Sequence, residues 1–260
     1  MCLLVFAFKV HPAYKLILAA NRDEFYERPT APAKFWDDNP NLLAGKDLKA
    51  GGTWLGITRY GKIAASTNYR DPSSIKENAP SRGKILSHYL LGSEDPVAYL
   101  ERLLKKADLY NGFNLILGDR DDLFWYSNRG EGYHRLSAGL YGLSNHLLDT
   151  PWPKISSSKE ALSDLLSNEQ NPSPETLFRL LADRTIPDDS RLPSTGVGIE
   201  WERILSPIFI VSSNYGTRSS TILFIDRHDH VSFYERTFNP ADNHVSDSNH
   251  TFDIEPLNVS

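Results

Sequence analysis

Leu3-Leu-Val-Phe-Ala-Phe-Lys9, followed by Lys15-Leu-Ile-Leu-Ala-Ala-Asn21, predicts a β-hairpin near the amino end of the chain. Both runs are apolar and of strand length, and a short segment that contains Pro12 separates them. The polar residues Asn21-Arg-Asp-Glu24 follow, and we expect them where the second strand meets a loop. A proline-rich irregular segment is expected to continue from there to Lys49.

The remaining pattern runs from strands to helices and back to strands. The predicted strands cover residues 51–58, 62–67, 113–118, 123–127, 133–136, 140–143, 208–212, 221–226 and 231–236. Helices are predicted at residues 85–90 and from the N-cap Asp95 to Lys106. Two further helices are predicted, one that begins with a capping box of Ser157 and Glu160 and one that begins at Pro174. Residues 184–200 are predicted to be an exposed loop. This order indicates antiparallel sheets covered by helices, so the fold class is α+β.

Composition excludes several classes of protein. The 260 residues are compatible with a single hydrophobic core, and the net charge of −5 gives no general attraction to nucleic acid. No apolar run approaches the roughly 18 residues of a transmembrane helix. Cys2 is the only cysteine, so no internal disulfide forms, and the eight histidines lack metal-ligand spacing, so no metal site is predicted. The amino end does not resemble a secretory signal, which favours a cytoplasmic location.

Cys2 becomes the amino-terminal residue when the initiator methionine is removed, which small second residues permit. A thiol titrates near pKa ~8.5 and an α-amine near ~7.7–8.0, so the terminal amine can activate its own side chain as a nucleophile. The alternative is that Cys2 is a small buried apolar residue.

Four further polar residues are predicted at strand ends or turns. Asp23 is suited to orient the terminal amine, with Arg22 offsetting its charge, although both also fit a surface ion pair. Asn68 and Asn145 can donate to an oxyanion or simply cap turns. Arg218 can bind a substrate anion or be an exposed turn residue.

Several longer motifs occur in order along the chain. They are Met1-Cys2, Leu16-Ile-Leu-Ala-Ala-Asn-Arg-Asp-Glu-Phe-Tyr26 with Arg28-Pro29, Gly51-Gly-Thr-Trp-Leu-Gly56, Thr67-Asn-Tyr69, Tyr110-Asn-Gly-Phe-Asn-Leu-Ile116, Asn128-Arg-Gly130, Tyr141-Gly-Leu-Ser-Asn145 with Thr150-Pro-Trp152, and Tyr215-Gly-Thr-Arg218. Together these motifs resemble the NRDE-domain family, also called the transport and Golgi organization protein 2 family. The resemblance implies one domain over residues 1–260 and a four-layer αββα sandwich of the N-terminal nucleophile hydrolase type, similar to choloylglycine hydrolase and penicillin V acylase.

The resemblance also assigns roles. It implies a catalytic set of Cys2, Asp23, Asn68, Asn145 and Arg218, and we expect substrate binding by Asn21, Arg22, Glu24 and Trp54. The acylases usually carry arginine three residues before the aspartate, and here that position is Ala20. Either the backbone bulges so that Arg22 takes its place, or the chemistry of the site has changed.

Two hypotheses follow from these observations. In the first, the chain is a cysteine hydrolase that cleaves an amide or thioester acyl bond and requires no cofactor. In the second, it is a non-catalytic carrier that binds haem, lipid or acyl-CoA in the same cleft, because the family is associated with Golgi organization, lipid metabolism and haem trafficking. The expected binding partners are then small acyl, lipid or haem molecules. The expected locations are the cytoplasm, the Golgi and the mitochondrion.

Overall fold

The computed structural model describes residues 2–239 and 244–256, with Cys2 described through its backbone alone. Within these residues the strands are β1 (Cys2–Phe8), β2 (Tyr14–Phe25), β3 (Thr30–Trp36), β4 (Asn39–Asp47), β5 (Leu55–Thr58), β6 (Ile63–Asn68), β7 (Phe113–Gly118), β8 (Leu123–Ser127), β9 (Tyr133–Arg135), β10 (Gly139–Leu143), β11 (Tyr215–Asp226), β12 (His230–Asn239) and β13 (His244–Asp253). The α-helices are α1 (Gly83–Leu91), α2 (Pro96–Leu104), α3 (Pro153–Asn168), α4 (Pro174–Leu181) and α5 (Ile199–Leu205).

The strands form two antiparallel sheets. The first sheet has the order β10-β1-β2-β11-β12-β13, and the second has the order β3-β4-β5-β6-β7-β8-β9. The amino-terminal hairpin therefore lies in the middle of the first sheet. β11 pairs with β2 along almost its whole length, so residues far apart in sequence become neighbours.

Strand alternation separates three apolar layers, because successive side chains of a strand point to opposite faces. Leu4 and Phe6 of β1 pack between the two sheets, whereas Leu3 and Val5 pack against α3 and α4. A third cluster joins α1 and α2 to the outer face of the second sheet. The arrangement is helix, sheet, sheet, helix, which confirms the predicted α+β class and the four-layer αββα sandwich.

The segment before Lys49 was predicted to be irregular, and this prediction is wrong. It forms β3 and β4, with the register of the pair shifted between Ala31 and Lys34. Pro32 lies in that shift on the edge strand of the second sheet, where a missing N–H breaks no inter-strand hydrogen bond. Proline content therefore indicated an edge strand with a bulge rather than a loop.

Two other boundaries also differ. α3 begins at Pro153, so Ser157 lies inside the helix and does not cap it. Residues 208–212 do not form a strand. Ile208, Phe209 and Ile210 are buried in a connection, whereas Val211 is exposed and forms only an isolated bridge with Gly216. The capping prediction at Asp95 is confirmed, because its side chain accepts hydrogen bonds from the first turn of α2.

None of the helices in the described part of the chain is long and apolar enough to cross a membrane.

Candidate active site

The candidate residues meet where several strands of the first sheet end. β2 continues to Phe25, so the expectation that Asn21-Arg-Asp-Glu24 lies beyond the strand is wrong. The backbone of Cys2 is opposite Arg22, and Thr217 of β11 is opposite Asp23. On the other side of β1, Leu4 is opposite Leu143, so the same antiparallel register brings Asn145 to the level of Cys2. The Cys2 side chain lies outside the described residues, and its role as nucleophile stays a prediction.

Asp23 is a buried carboxylate at this edge, with only 1% of its surface exposed. Thr217 donates its hydroxyl to Asp23 Oδ1 at 2.7 Å, and the Ile210 N–H in turn donates to the Thr217 oxygen at 2.9 Å. Burial raises the pKa of the Asp23 carboxyl, and the positive charge of Lys154 acts in the opposite direction. Such a group can hold or accept a proton beside the amino end of β1.

The two asparagines are joined to each other across the sandwich. Asn145 Nδ2 donates to the Asn68 carbonyl oxygen at 2.9 Å, and the Asn145 carbonyl oxygen accepts the Arg70 N–H at 2.8 Å. Asn145 is fully buried, and its Oδ1 accepts the Ser144 hydroxyl at 3.2 Å. These bonds place the end of β6 beside the end of β10. Asn68 is half-buried at the last position of its strand, where its side chain can face a ligand.

Arg22 faces the space between the sheets, away from Asp23. Its guanidinium lies 4.3 Å from the ring centre of Trp54, and Nη2 is 3.6 Å from a carboxylate oxygen of Glu24. The pairing of β1 with β2 is regular through Cys2 and Arg22, so no bulge turns Arg22 towards Asp23. A bulge that lets Arg22 replace the arginine missing at Ala20 is therefore not present in this strand pair.

Arg218 lies at a β-bulge, because the register of β11 against β2 shifts between Thr217 and Ser219. It is inside a strand, and the prediction of a hairpin turn there is wrong. Its Nη1 atom lies 3.1–3.2 Å from three backbone carbonyl oxygens, those of Phe25, Tyr26 and Arg28. The side chain thus holds the turn that follows β2.

Asn21 and Glu24, both predicted to bind substrate, have structural contacts. Asn21 is fully buried; its Nδ2 donates to the carbonyl oxygens of Leu181 and Ile208, both at 2.9 Å, and its Oδ1 accepts the Ser220 hydroxyl. Glu24 is half-buried and accepts the Phe25 N–H. Asn21 therefore ties β2 to the end of α4, whereas Glu24 remains accessible.

Three buried charged residues beside the site were not identified from the sequence. Arg70 Nη1 lies 2.6 Å from Glu202 Oε2, and Lys154 in the first turn of α3 interacts with Asp23. Arg70 directly follows the motif Thr67-Asn-Tyr69, and Lys154 lies two residues after Thr150-Pro-Trp152; these positions were the available signal. Glu202 lies two residues beyond the segment 184–200 that was predicted to be an exposed loop, and no motif in the sequence marked it.

The arrangement is suited to acid–base and acyl chemistry. It combines a buried carboxylate, amide groups at two strand ends, and the end of the chain that carries Cys2. Among residues 2–239 and 244–256, the structure has no cluster of three or more His, Cys, Asp or Glu side chains placed to hold a metal ion.

Comparison with known structures supports the fold. A mutant conjugated bile acid hydrolase from Clostridium perfringens superimposes with a TM-score of 0.53, covering 98% of this chain and 97% of that chain at 8% sequence identity. At this identity the likeness concerns the fold, which is that of the N-terminal nucleophile hydrolases.

Comparison of sequences identifies the family. The family model for Transport and Golgi organisation 2 matches residues 1–240. The mouse Transport and Golgi organization 2 homolog is 38% identical over 257 residues, covering 91% of this chain and 93% of the relative. The human homolog is also 38% identical, over 262 residues, covering 93% and 95%. The chain therefore belongs to the Transport and Golgi organisation 2 family.

Proposed function

We propose that the chain is an N-terminal-cysteine hydrolase that cleaves a linear amide or thioester acyl bond. The observation that carries the proposal is the buried Asp23 carboxylate next to the strand position opposite Cys2. A carboxylate at that position can orient the α-amine of a processed amino-terminal cysteine. The fold shared with N-terminal nucleophile hydrolases supports the same interpretation.

The proposed reaction has two steps. The Cys2 thiol attacks the acyl carbon and passes its proton to the α-amine, which then protonates the departing amine or thiolate. Water, deprotonated by the same amine, next attacks the thioester carbon. The C–S bond breaks, the acid leaves, and the Cys2 thiolate takes back the proton from the amine. In this scheme Asp23 orients the amine, while Asn68 and Asn145 donate to the oxyanion, a contribution of about 3–4 kcal/mol in known acyl-transfer sites.

Intact-mass measurement after treatment with p-nitrophenyl acetate tests this proposal. We expect one acetyl group on protein whose Met1 has been removed, and none on Cys2→Ala. A chain with one glutamate inserted between Met1 and Cys2 keeps the thiol but lacks the amine at Cys2, so it should acylate at least about tenfold more slowly. Equal labelling of wild type and Cys2→Ala would refute the proposal.

A second candidate function is non-catalytic transport of haem, lipid or acyl-CoA. The observation that favours it is a cavity of about 800 Å³ between α4, the segment 209–213 and the ends of β11 and β12. Phe178, Phe209 and Phe238 line it together with Arg184, Arg218 and Arg236. An apolar cavity with arginines suits an organic anion that has a large apolar part, and its volume is within the range of small-molecule sites.

Two probes that differ by one charge test the carrier function. We expect 8-anilinonaphthalene-1-sulfonate to bind more tightly than N-phenyl-1-naphthylamine, which lacks the sulfonate, and haemin to show a shifted Soret band. Ala182→Trp, which places an indole ring in the lining of the cavity, should weaken both signals and leave acylation of Cys2 unchanged. Absence of binding to wild type, or binding unaffected by Ala182→Trp, would refute a carrier function in this cavity.

The proposal also includes the cellular location of the reaction and the class of its substrates. The names of the relatives refer to Golgi organization, and we place the chain's activity in the cytoplasm, at the Golgi or in the mitochondrion, on acyl substrates of lipid metabolism. Fractionation of cells that express the tagged chain, with markers for each compartment, tests this location.

A further inference from the structure

The cavity between α4 and the ends of β11 and β12 lies on the same face of β2 as Asp23. Ala19 of β2 packs with Phe178 of α4, and Phe178 also lines the cavity. Asp23 is four residues beyond Ala19 in the same strand, and side chains at that spacing point to one face. Arg22 lies over Trp54 on the opposite face. A ligand in the cavity is therefore on the Asp23 side of the sheet.

Two hydroxyl side chains of β11 line the cavity and also bind the buried polar groups of β2. Thr217 donates its hydroxyl to Asp23 Oδ1 at 2.7 Å, and Ser220 donates its hydroxyl to Asn21 Oδ1 at 2.6 Å. A hydroxyl has one hydrogen to donate, and both hydrogens are used in these bonds. A ligand that accepts a hydrogen bond from this wall must therefore compete with Asp23 or Asn21.

Arg218 favours an anion next to Thr217. It follows Thr217 in the chain, and both residues line the cavity. Its hydrogen bonds to the turn after β2 leave from Nη1, and its Nε atom has no hydrogen-bond partner among the described residues. Arg236, which also lines the cavity, is paired with Glu175 and Asp247. An anion that pairs with Arg218 therefore lies beside the Thr217 hydroxyl.

Such an anion acts against the ionised form of Asp23 in two ways. By accepting the Thr217 hydroxyl it removes a hydrogen bond from the carboxylate, and its own charge repels the carboxylate. The effect is reciprocal, because two ligands or charges that share a coupling free energy weaken each other by the same factor. Ionised Asp23 must therefore weaken the binding of an anion in the cavity.

We propose that the cavity is an inhibitory site for an apolar carboxylate, which acts on Asp23 through the shared hydroxyl of Thr217. The inference rests on the proposed function for its consequence, because that hydrolysis uses the Asp23 carboxylate to orient the α-amine. Cleavage of an acyl bond releases a carboxylate, and the phenylalanines that line the cavity suit its apolar part. The product then slows the next acylation of Cys2. A carrier needs only binding in this cavity, whereas inhibition also needs the coupling to Asp23.

Dissociation constants of two probes measure the coupling without any turnover. They are determined with the full chain carrying Cys2→Ala, at pH 8, because burial raises the pKa of the Asp23 carboxyl. We expect Asp23→Asn to tighten the binding of 8-anilinonaphthalene-1-sulfonate at least about fivefold, and to change that of the uncharged N-phenyl-1-naphthylamine by less than about twofold. As a control, Asp37→Asn removes the same charge from an exposed pair with Lys34 and should change neither constant.

The role of the Thr217 hydroxyl is tested in a double-mutant cycle. Thr217→Val keeps the shape of the side chain but has no hydroxyl, so Asp23→Asn should tighten sulfonate binding less in this background. Thr217→Ser keeps the hydroxyl and should retain the full effect of Asp23→Asn. If Thr217→Val does not fold, Thr217→Ala, which also lacks the hydroxyl, takes its place with the same expectation. An undiminished effect of Asp23→Asn without the hydroxyl would overturn the proposed route.

The remaining outcomes separate this inference from the proposed function. In a protein that acylates Cys2, octanoate should slow acylation by p-nitrophenyl acetate and octan-1-ol should not, and Ala182→Trp in the cavity lining should weaken the inhibition. Unchanged sulfonate affinity in Asp23→Asn, or no binding of the sulfonate at all, would overturn the inference whether or not the protein is an enzyme. Coupling in a protein that never acylates Cys2 would retain the link between cavity and Asp23 and refute the hydrolase.

Discussion

Arg218 shows that a polar residue in a strongly matching motif can have an architectural role. The bulge between Thr217 and Ser219 frees its side chain from the regular alternation of β11, and the guanidinium then reaches the carbonyl groups of the turn after β2. Because Asp23 lies two residues before that turn begins, Arg218 stabilises the end of the strand that carries the carboxylate. Charge-assisted bonds of this kind contribute about 1.5–3 kcal/mol.

We therefore expect Arg218→Met to destabilise the fold by about 2 kcal/mol, because three carbonyl groups lose a charged donor. Urea unfolding at pH 7 measures the loss. Arg102→Met, which removes an exposed pair with Glu94, serves as the control and should cost at most about 1 kcal/mol. If Arg218→Met kept full stability but lost acylation of Cys2, the catalytic role implied by the family resemblance would be favoured over the architectural one.

Local sequence patterns predicted the candidate site only in part. Cys2, Asp23 and Asn145 were found because strand ends and motifs mark them, and the register brings those positions to one edge. Lys154 and Glu202 were missed, because neither residue carries a local signal of burial. Glu202 is buried beside Arg70, with which it forms an ion pair and which is distant in sequence.

At the scale of elements, predictions were correct where a local apolar pattern reports the structure and wrong where contacts between distant residues determine it. The hairpin of β1 and β2 was predicted because apolar runs report a buried strand directly. β13 was missed because most of its residues are polar and exposed, and it is held by pairing with β12 rather than by burial. The prediction of a strand at 208–212 was wrong for the opposite reason, since Ile208, Phe209 and Ile210 are buried but have no strand partner.

α5 is a short helix with two buried side chains, the charged Glu202 and the apolar Leu205. Seven residues give little intrinsic helical stability, and Glu202 anchors the helix to Arg70 and to the preceding loop at Thr195. Removal of one member of a buried pair leaves an uncompensated charge, so we expect Glu202→Ala to cost about 3–5 kcal/mol. Thermal and urea unfolding measure this loss.

A matched control lies two residues away on the same helix. Glu200 is exposed, and Glu200→Ala should change the free energy of unfolding by no more than about 0.5 kcal/mol. Combining Arg70→Met with Glu202→Leu should recover part of the stability lost by Glu202→Ala, because neither charge then remains buried alone. Equal losses in Glu200→Ala and Glu202→Ala would contradict the anchoring role.

At the scale of the whole molecule, polar side chains close the sandwich along one edge. Glu235 of β12 is buried, and its Oε1 accepts the N–H of Ala33 in β3 of the other sheet at 2.6 Å. From β13, the Ser248 hydroxyl donates to the Ala33 carbonyl oxygen at 2.7 Å. The irregular pairing of β3 with β4 at this point leaves the Ala33 backbone available to the first sheet. The two sheets are thus joined by hydrogen bonds as well as by the apolar layer between them.

Glu235 makes this connection sensitive to pH. Burial raises the pKa of its carboxyl, opposed by the hydrogen bonds from Ala33 and Thr221. The folded protein therefore binds this proton more tightly than the unfolded chain does. The associated stability is fully present below the ordinary pKa of glutamate and is lost as the pH rises through the raised value in the folded state.

Glu235→Gln keeps an oxygen acceptor for the Ala33 N–H but cannot ionise, so we expect it to be more stable than wild type at pH 8. The difference should shrink towards pH 4, where wild-type Glu235 is protonated as well. Urea unfolding across this range measures the difference. Burial also raises the pKa of Asp23, but Asp23 is present in both proteins, so its contribution to the difference cancels. Glu235→Ala leaves the Ala33 N–H without its acceptor and should be about 1–3 kcal/mol less stable than Glu235→Gln at every pH. The exposed Glu101→Gln should follow wild type throughout. A difference between wild type and Glu235→Gln that stays constant from pH 4 to pH 8 would mean that Glu235 does not change its ionisation on folding.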